Sequence, residues 1–359
     1  DEEGNLEKEE SYEGAIVFDP VAQIDYEANS TKDYASLYPS SIMHKNMSHE
    51  TEILDSEYDN IEGITYFNAA FNENDGTTKY VRYAKINNKL GVIPTILSNL
   101  LKERKNIKKL MKNESNPFKY KILDAKQLAV KVTANSLYGQ LGAKTSTFYE
   151  PDIAASTTAT GRLLLTYAKR VVEECYGDSE VKTDFGIIKT RAEYVYGDTD
   201  SVFFTFNLAN KETGEKIIGP KALELSIEIA QEACHNVSKF LKQPHDFEYE
   251  KTFLPFCLLS KKRYVGILYE HDPMKGKRKE MGIVLKRRDN APIVKDVYGG
   301  VIDILMKERD IKKALDYVRS ADIVVRKSFD DLFPKVDKDA LGILKNTLKF
   351  NPSDRLTIE

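Results

Sequence analysis

The sequence lacks most of the features that assign a chain to a class at once. Its three cysteines, Cys175, Cys234 and Cys257, are widely spaced and form no CxxC pair. That excludes a disulfide framework and a cysteine metal knuckle, and the expectation is buried free thiols in a reducing compartment. The apolar run LPFCLL at 254–259 is far too short to cross a bilayer. With 30% charged residues, the expectation is a soluble protein with no membrane partner. No charged-then-apolar leader is present and the first residue is Asp1, so the chain is expected to be a piece of something longer. Internal repeats and low-complexity linkers are missing too.

What is present is a chain of 359 residues with 41% hydrophobic content, enough for a packed core in about two or three domains. The net charge of −3 conceals an asymmetry: residues 1–13 carry −6, which leaves +3 for the rest. KERKNIKKLMK at 102–112 has six basic residues and one acid. A second basic region runs from KKRY at 261–264 through KGKRK at 275–279 to KRR at 286–288. Each run alone reads as a solvated face. Together they point to a polyanionic partner.

The pattern predicts a short strand in GAIVFDP at 14–20, then an extended segment in DYASLYPSS at 33–41 that ends in a turn enforced by Pro39. Residues 50–90 read as irregular, with strand-like pieces ITYF and YVRYAKI. A helix opens at Pro94 and stops near NESN at 113–116. A second, capped by Asn116 with Pro117 behind it, runs to Tyr138 with Gly139 as its stop, forming an antiparallel pair with the first. Pro151 opens a third helix that ends at Gly177, and Pro220 a fourth. Between them EYVY and SVFFTF, at 193–206, form a hairpin around a tight turn at Gly197. FEYEKTF and CLLSKKRYVGILYE form another strand pair, and the chain is helical and basic from about Ile293. Strands and long helices without a βαβ rhythm indicate an α+β fold.

The chemistry begins with Asp198 and Asp200. Two acids so close in a hairpin repel each other unless a partner neutralises them. Asp33 ends another extended segment. Carboxylates from separate strands suit hard divalent cations, and two such ions about 3.5–4 Å apart stabilise an in-line phosphoryl displacement. A lone DxD is also a turn capped by its own side chains. Arg104 and Lys108 share one helix face, and Lys131, Asn135 and Tyr138 form a stripe on the next helix. That stripe sets a cation, an amide and a ring in a row, as a nucleoside triphosphate sets phosphates, sugar and base. It also reads as a polar face turned to water. Gly139 beside it permits close approach of another backbone.

DYASLYPSS, KVTANSLYG and YGDTDS, in this order and spacing, resemble the three signature motifs of family B DNA-dependent DNA polymerases of the delta-type replicative and large-DNA-virus kind. NLLKERKNIKK resembles the basic fingers helix, FEYEKTFLPFCLLSKKRY the palm segment that touches the primer, and KRRDNAP the entry to the thumb. The resemblance spans roughly residues 13–330.

It implies an antiparallel palm sheet backed by the helices that open at Pro151 and Pro220, in two parts, 14–93 and 146–285, after an acidic leader at 1–13. It further implies antiparallel two-helix fingers at 94–145 and a partial helical thumb at 286–359. Asp33 and Asp200 become the metal carboxylates, with the Tyr34 carbonyl as a further ligand and Asp198 in support. The amides of Ser36 and Leu37 cradle the triphosphate, Tyr38 is the steric gate, and Arg104, Lys108, Lys131 and Asn135 serve the incoming nucleotide. Tyr138 and Gly139 flank the nascent base pair, Lys262, Arg263 and Tyr264 meet the primer end, and Arg288 contacts DNA at the thumb entry.

The implied cofactors are two Mg²⁺ ions, and the implied partners are primer–template DNA and dNTPs. A sliding clamp would be engaged through parts not present in this chain. The setting would be a nucleus or a cytoplasmic viral replication site. Departures stand beside these implications. STK at 30–32 replaces an apolar run before Asp33, so that strand is expected to be short or partly exposed; Ser41 stands where isoleucine is common. No room precedes the palm for a proofreading exonuclease, and a truncated thumb is expected to grip DNA weakly. A fragment that only binds primer–template and a two-metal nuclease remain as other readings.

Overall fold

The computed structural model describes residues 13–73, 75–286 and 291–325. Arg288 and most of the acidic leader therefore lie outside the described residues. The elements in chain order are β1 (Gln23–Asp25), β2 (Asn29–Tyr34), α1 (Leu37–Lys45), β3 (Ile64–Asn72), β4 (Thr78–Ile86), α2 (Val92–Lys112), α3 (Pro117–Gly142) and α4 (Pro151–Tyr176). They continue with β5 (Ser179–Thr183), β6 (Gly186–Thr190), β7 (Glu193–Asp198), β8 (Ser201–Thr205), β9 (Ala209–Asn210), α5 (Gly219–Ser238), β10 (Phe247–Ser260), β11 (Arg263–Tyr269), β12 (Lys277–Met281), α6 (Pro292–Lys307) and α7 (Ile311–Val325). The chain divides into two units, residues 1–279 and 280–359. In the second, α6 packs on α7. Among the described residues no helix is long and apolar enough to cross a membrane.

The central antiparallel sheet of the first unit runs β11-β10-β2-β8-β7, with β1 also paired to β10. Side chains alternate between its faces with the period of two that a strand imposes. Val202 and Phe204 of β8 join a core with Leu165, Ala168 and Val172 of α4 and Leu225, Ile229 and Ala233 of α5. Phe203, from the opposite face, packs with Phe253, Phe256 and Tyr264. The fold is thus mixed α and β, with helices backing one face of an antiparallel sheet. A third core joins α1, α2, α3 and the start of α4 to the β3–β4 hairpin.

Several local expectations are corrected. The β7–β8 turn centres on Thr199, which takes a left-handed φ of 56°, while Gly197 lies within β7. Pro39 does not end a segment; it sits in the first turn of α1, where its missing N–H costs nothing. Gly139 does not stop α3, which runs on to Gly142. Residues 247–260 are one strand rather than parts of two, and residues 64–86 form a fully paired hairpin. Cys175 is exposed; only Cys234 and Cys257 are buried. GAIVFDP forms only an isolated bridge, from Val17 to Asp198.

The strand before Asp33 is the largest correction. β2 lies between β10 and β8, and Asn29, Ser30, Thr31 and Lys32 are all 0% exposed. Polar residues occupy a central position because partners take some of their groups: the Ser30 hydroxyl lies 2.9 Å from that of Thr252. Lys32 is different. Its ammonium lies over the rings of Phe204 (4.9 Å) and Phe206 (4.6 Å) and has no hydrogen-bond partner. Burial pushes its pKa down to about 8, against a small opposing effect from Cys234. Cation–π contact recovers part of the lost hydration, about 2 kcal/mol per desolvated pair.

A buried unpaired charge is destabilising, and an isosteric apolar chain removes that cost. Lys32→Met is therefore expected to stabilise the protein by about 1–4 kcal/mol in urea unfolding at pH 7. An unchanged or lower midpoint would mean that the ammonium is solvated.

Candidate active site

The site is assembled by strand pairing. Asp33 near the end of β2 stands opposite Ser201 of β8, and the Tyr34 amide donates to the Asp200 carbonyl at 3.0 Å. Two carboxyl-bearing residues 167 positions apart in sequence are thereby held side by side. The Tyr34 ring turns the other way, into the helix-backed core, where its hydroxyl donates to the Leu164 carbonyl at 2.7 Å. Only the backbone of Tyr34 is left on the carboxylate side.

The electrostatics are those of crowded negative charge. Burial, then Glu250, Asp200 and Glu248, raise the Asp33 pKa to about 7, with Lys251 opposing. Asp200 is raised as well, by burial first and then by Asp198 and Glu250, while the Ser201 hydroxyl opposes. Glu248 pairs with Asp33 across the β2–β10 ladder. Among the described residues no group of three His, Cys, Asp or Glu side chains is placed to hold a metal ion alone. The donor set is instead a carboxylate pair with further acids around it. It suits a hard cation of the Mg²⁺ type, which takes one or two carboxylates and completes its shell with water and phosphate oxygens.

Asp198 faces elsewhere. Both its oxygens accept from the Lys262 ammonium, at 2.7 and 2.9 Å, and it also accepts from the Thr199 and Tyr196 hydroxyls. Lys262 takes a left-handed φ of 62° in the β10–β11 turn, and its amide donates to the Tyr196 hydroxyl at 2.8 Å. The KKRY turn is thus fastened to the acid-bearing hairpin. Arg263 is exposed beside it, whereas Tyr264 is only 6% exposed and packs its ring into the Phe203 cluster.

Ser36 precedes α1, and its left-handed φ of 53° breaks the chain from β2 so that the helix starts directly after the strand bearing Asp33. A loop after α5 braces this turn: the Ala35 amide donates to the Asp246 carbonyl at 3.0 Å, and the Ser41 hydroxyl lies 3.1 Å from His245 Nε2. Tyr38 on α1 meets Tyr138 on α3, ring centroids 4.5 Å apart. On α2 the Lys108 pKa is lowered by burial and then by Arg104 and Lys131, while Glu248 and Asp33 oppose. The cations of both helices and the carboxylates therefore share one field. Arg104 is held by a hydrogen bond to Gln127 of α3 at 3.2 Å. Lys131, Asn135 and Gly139 are exposed on α3, and nothing lies within 4 Å of the point where a Gly139 side chain would begin.

The family model of DNA polymerase family B matches residues 1–349. The chain belongs to that family. A DNA polymerase of Pyramimonas orientalis virus is 42% identical to it over 96% of this chain and 31% of its own length. One from Phaeocystis pouchetii virus is 41% identical over 68% of the chain and 27% of its own. The DNA polymerase delta catalytic subunit of Drosophila melanogaster is 35% identical over 87% and 27%. The chain thus spans roughly three tenths of the length of these curated relatives.

Within this family B chain, sequence reasoning missed Glu248, Glu250 and His245. The two glutamates had a signal: an E-x-E pair in a strand puts both acids on one face. His245 had none, because its role depends on a loop folding back onto α1. It is 3% exposed, and burial, then the nearby His44 and Lys45, push its pKa down to about 4.

A histidine held neutral in the fold takes its proton first in the unfolded chain. The stability it allows is full above about pH 6.5 and falls as pH drops toward 4, by at most about 3 kcal/mol. Urea unfolding from pH 7 to 4.5 is expected to show this loss, with a shallower slope in His245→Gln. Equal slopes would place the titration at another group.

Proposed function

We propose that this chain is the palm, fingers and partial thumb of a template-directed DNA polymerase. It adds deoxynucleotides from dNTPs to a primer 3′ end. The observation that carries the reading is Asp33 and Asp200 side by side beneath the cations of α2 and α3. Two acids whose protonation is raised by burial among further carboxylates, with cations on the facing helices, suit metal-assisted phosphoryl transfer better than either element alone does.

In this reading the palm comprises residues 14–93 and 146–285, the fingers residues 94–145 and the thumb residues from 286. The primer 3′-oxygen forms a bond to the α-phosphorus, the bond to the β-phosphate oxygen breaks, and pyrophosphate leaves. Asp33, Asp200 and the Tyr34 carbonyl would hold Mg²⁺, which when bound would lower the pKa of the 3′-hydroxyl and neutralise charge on the leaving pyrophosphate. The Ser36 and Leu37 amides at the α1 N-terminus take phosphate oxygens, since a helix start presents unpaired N–H groups and a positive dipole end. Arg104, Lys108 and Lys131 neutralise the triphosphate, and Asn135 supports them. Tyr38 lies under the deoxyribose and clashes with a 2′-hydroxyl. Tyr138 and Gly139 flank the new base pair. Lys262 and Arg263 follow the primer end in the minor groove, where contact reads shape more than sequence. Tyr264 holds that platform from beneath, and Arg288 joins the DNA grip of the thumb.

Primer extension by the 359-residue chain with Mg²⁺ and dNTPs is the test. Asp200→Asn is expected to reduce extension to background while DNA affinity changes little; wild-type extension by that variant would remove Asp200 from the reaction. Tyr38→Ala is expected to raise relative ribonucleotide use by about 10²-fold, the scale on which a pocket rejects an added hydroxyl. Unchanged discrimination would place the gate at another residue. DNA binding without incorporation would leave a binding fragment, and primer loss without dNTPs would indicate a nuclease.

A further inference from the structure

Glycine at the middle of a helix costs roughly 1 kcal/mol relative to alanine, so its presence there calls for a spatial reason. Gly161 lies midway along the 26-residue α4 and is buried. A Cβ at this position would lie 3.0 Å from Tyr38 Cε1, 3.3 Å from Leu37 Cδ2 and 3.6 Å from Tyr38 Cδ1. All three contacts are side-chain atoms of α1, and the two nearest belong to the residues that open that helix. The Tyr38 ring also meets Tyr138 of α3, centroids 4.5 Å apart. The ring therefore touches a bare backbone on α4 and an aromatic ring on α3, so its freedom to shift is limited by both.

We propose that Gly161 is a specificity-determining positioning residue, the floor that fixes how far the Tyr38 ring projects toward the sugar of the incoming nucleotide. This rests on the polymerase reading and extends it to a residue outside the three motifs. A methyl group at 161 overlaps the ring by a few tenths of an ångström, which rotation or sliding of Tyr38 toward Tyr138 can relieve. Leu37 is pressed at the same time, so the amides at the α1 start move with it. The pocket becomes shallower for either sugar, and a ribose, with its added 2′-oxygen, loses more than a deoxyribose. Selectivity rises while incorporation slows.

The test is single-nucleotide primer extension with dTTP and with UTP by the full chain, comparing wild type, Gly161→Ala, Tyr38→Ala and the double variant, with a melting curve for each. The expected result is an increase of about fivefold or more in the dTTP-to-UTP efficiency ratio for Gly161→Ala, given that a 1 Å misplacement costs about 10²-fold. It comes with a higher dTTP KM. In the Tyr38→Ala background, where the overlap is gone, Gly161→Ala is expected to leave the ratio unchanged, the non-additivity that contact between two residues produces.

A ratio unmoved by Gly161→Ala, or moved equally with and without Tyr38, overturns the inference while wild-type extension upholds the polymerase reading. If Gly161→Ala lowers the melting temperature enough to obscure the comparison, the same ratio measured in all four chains at a lower assay temperature decides it. Absence of dTTP incorporation by the wild-type chain overturns both.

Discussion

Buried like charge is the constraint around which the rest of the first unit is arranged. Asp33 and Asp200 are brought together by a β2–β8 pairing and by one backbone hydrogen bond, and burial among further acids raises the pKa of both. A fold left to maximise its own stability would separate them. The sheet instead places the pair where β2 ends and β8 begins, and the paired strands hold what their charges oppose. Glu248 and Glu250 increase the negative field, and the cations on α2 and α3 answer it from a separate element. In the proposed reading a triphosphate and its counter-ions occupy the gap between those two layers.

The surroundings are built to keep that arrangement in register. The α1 turn is braced by the Asp246 carbonyl and by His245, and the KKRY turn is tied to the acid-bearing hairpin through Asp198 and Tyr196. Each tie links a site residue to a segment distant in sequence. Lys32 shows how far the central strand departs from an ordinary core. A full positive charge on the face opposite Asp33 is tolerated over two phenylalanine rings, in a position where leucine or valine would serve stability better.

The long helices, the acid-bearing hairpin and the α+β class were legible in the sequence because each rests on local rules: proline at a helix start, aliphatic spacing, alternation in aromatic strands. The family B motifs identified the acids and the cationic helices. What stayed hidden was set by tertiary context. STK reads as a weak, exposed strand by composition, yet pairing on both edges buries it completely. Pro39 reads as a turn because propensity cannot tell a helix's first turn from a loop. Thr199, not Gly197, takes the left-handed conformation, since Gly197 is needed small for another reason. Gly161 and His245 carry no motif, and their roles exist only once α1 is laid against α4 and the 239–246 loop.

That other reason lies in residues 16–21. The Phe18 amide bonds to the Gly197 carbonyl, the Val21 amide to that of Val195, and the Thr199 amide to that of Ile16, so an irregular segment runs along the free edge of β7. A side chain on Gly197 would strike the Phe18 ring at 2.8 Å. The β7 border of the sheet is thus sealed by the chain itself, and a foreign strand finds no ladder to join there. The seal also works in the other direction: the tip bearing Asp200 leans on a ribbon with no helix or sheet of its own, so a slip of one residue there would turn the phenylalanine outward and loosen the acid it steadies.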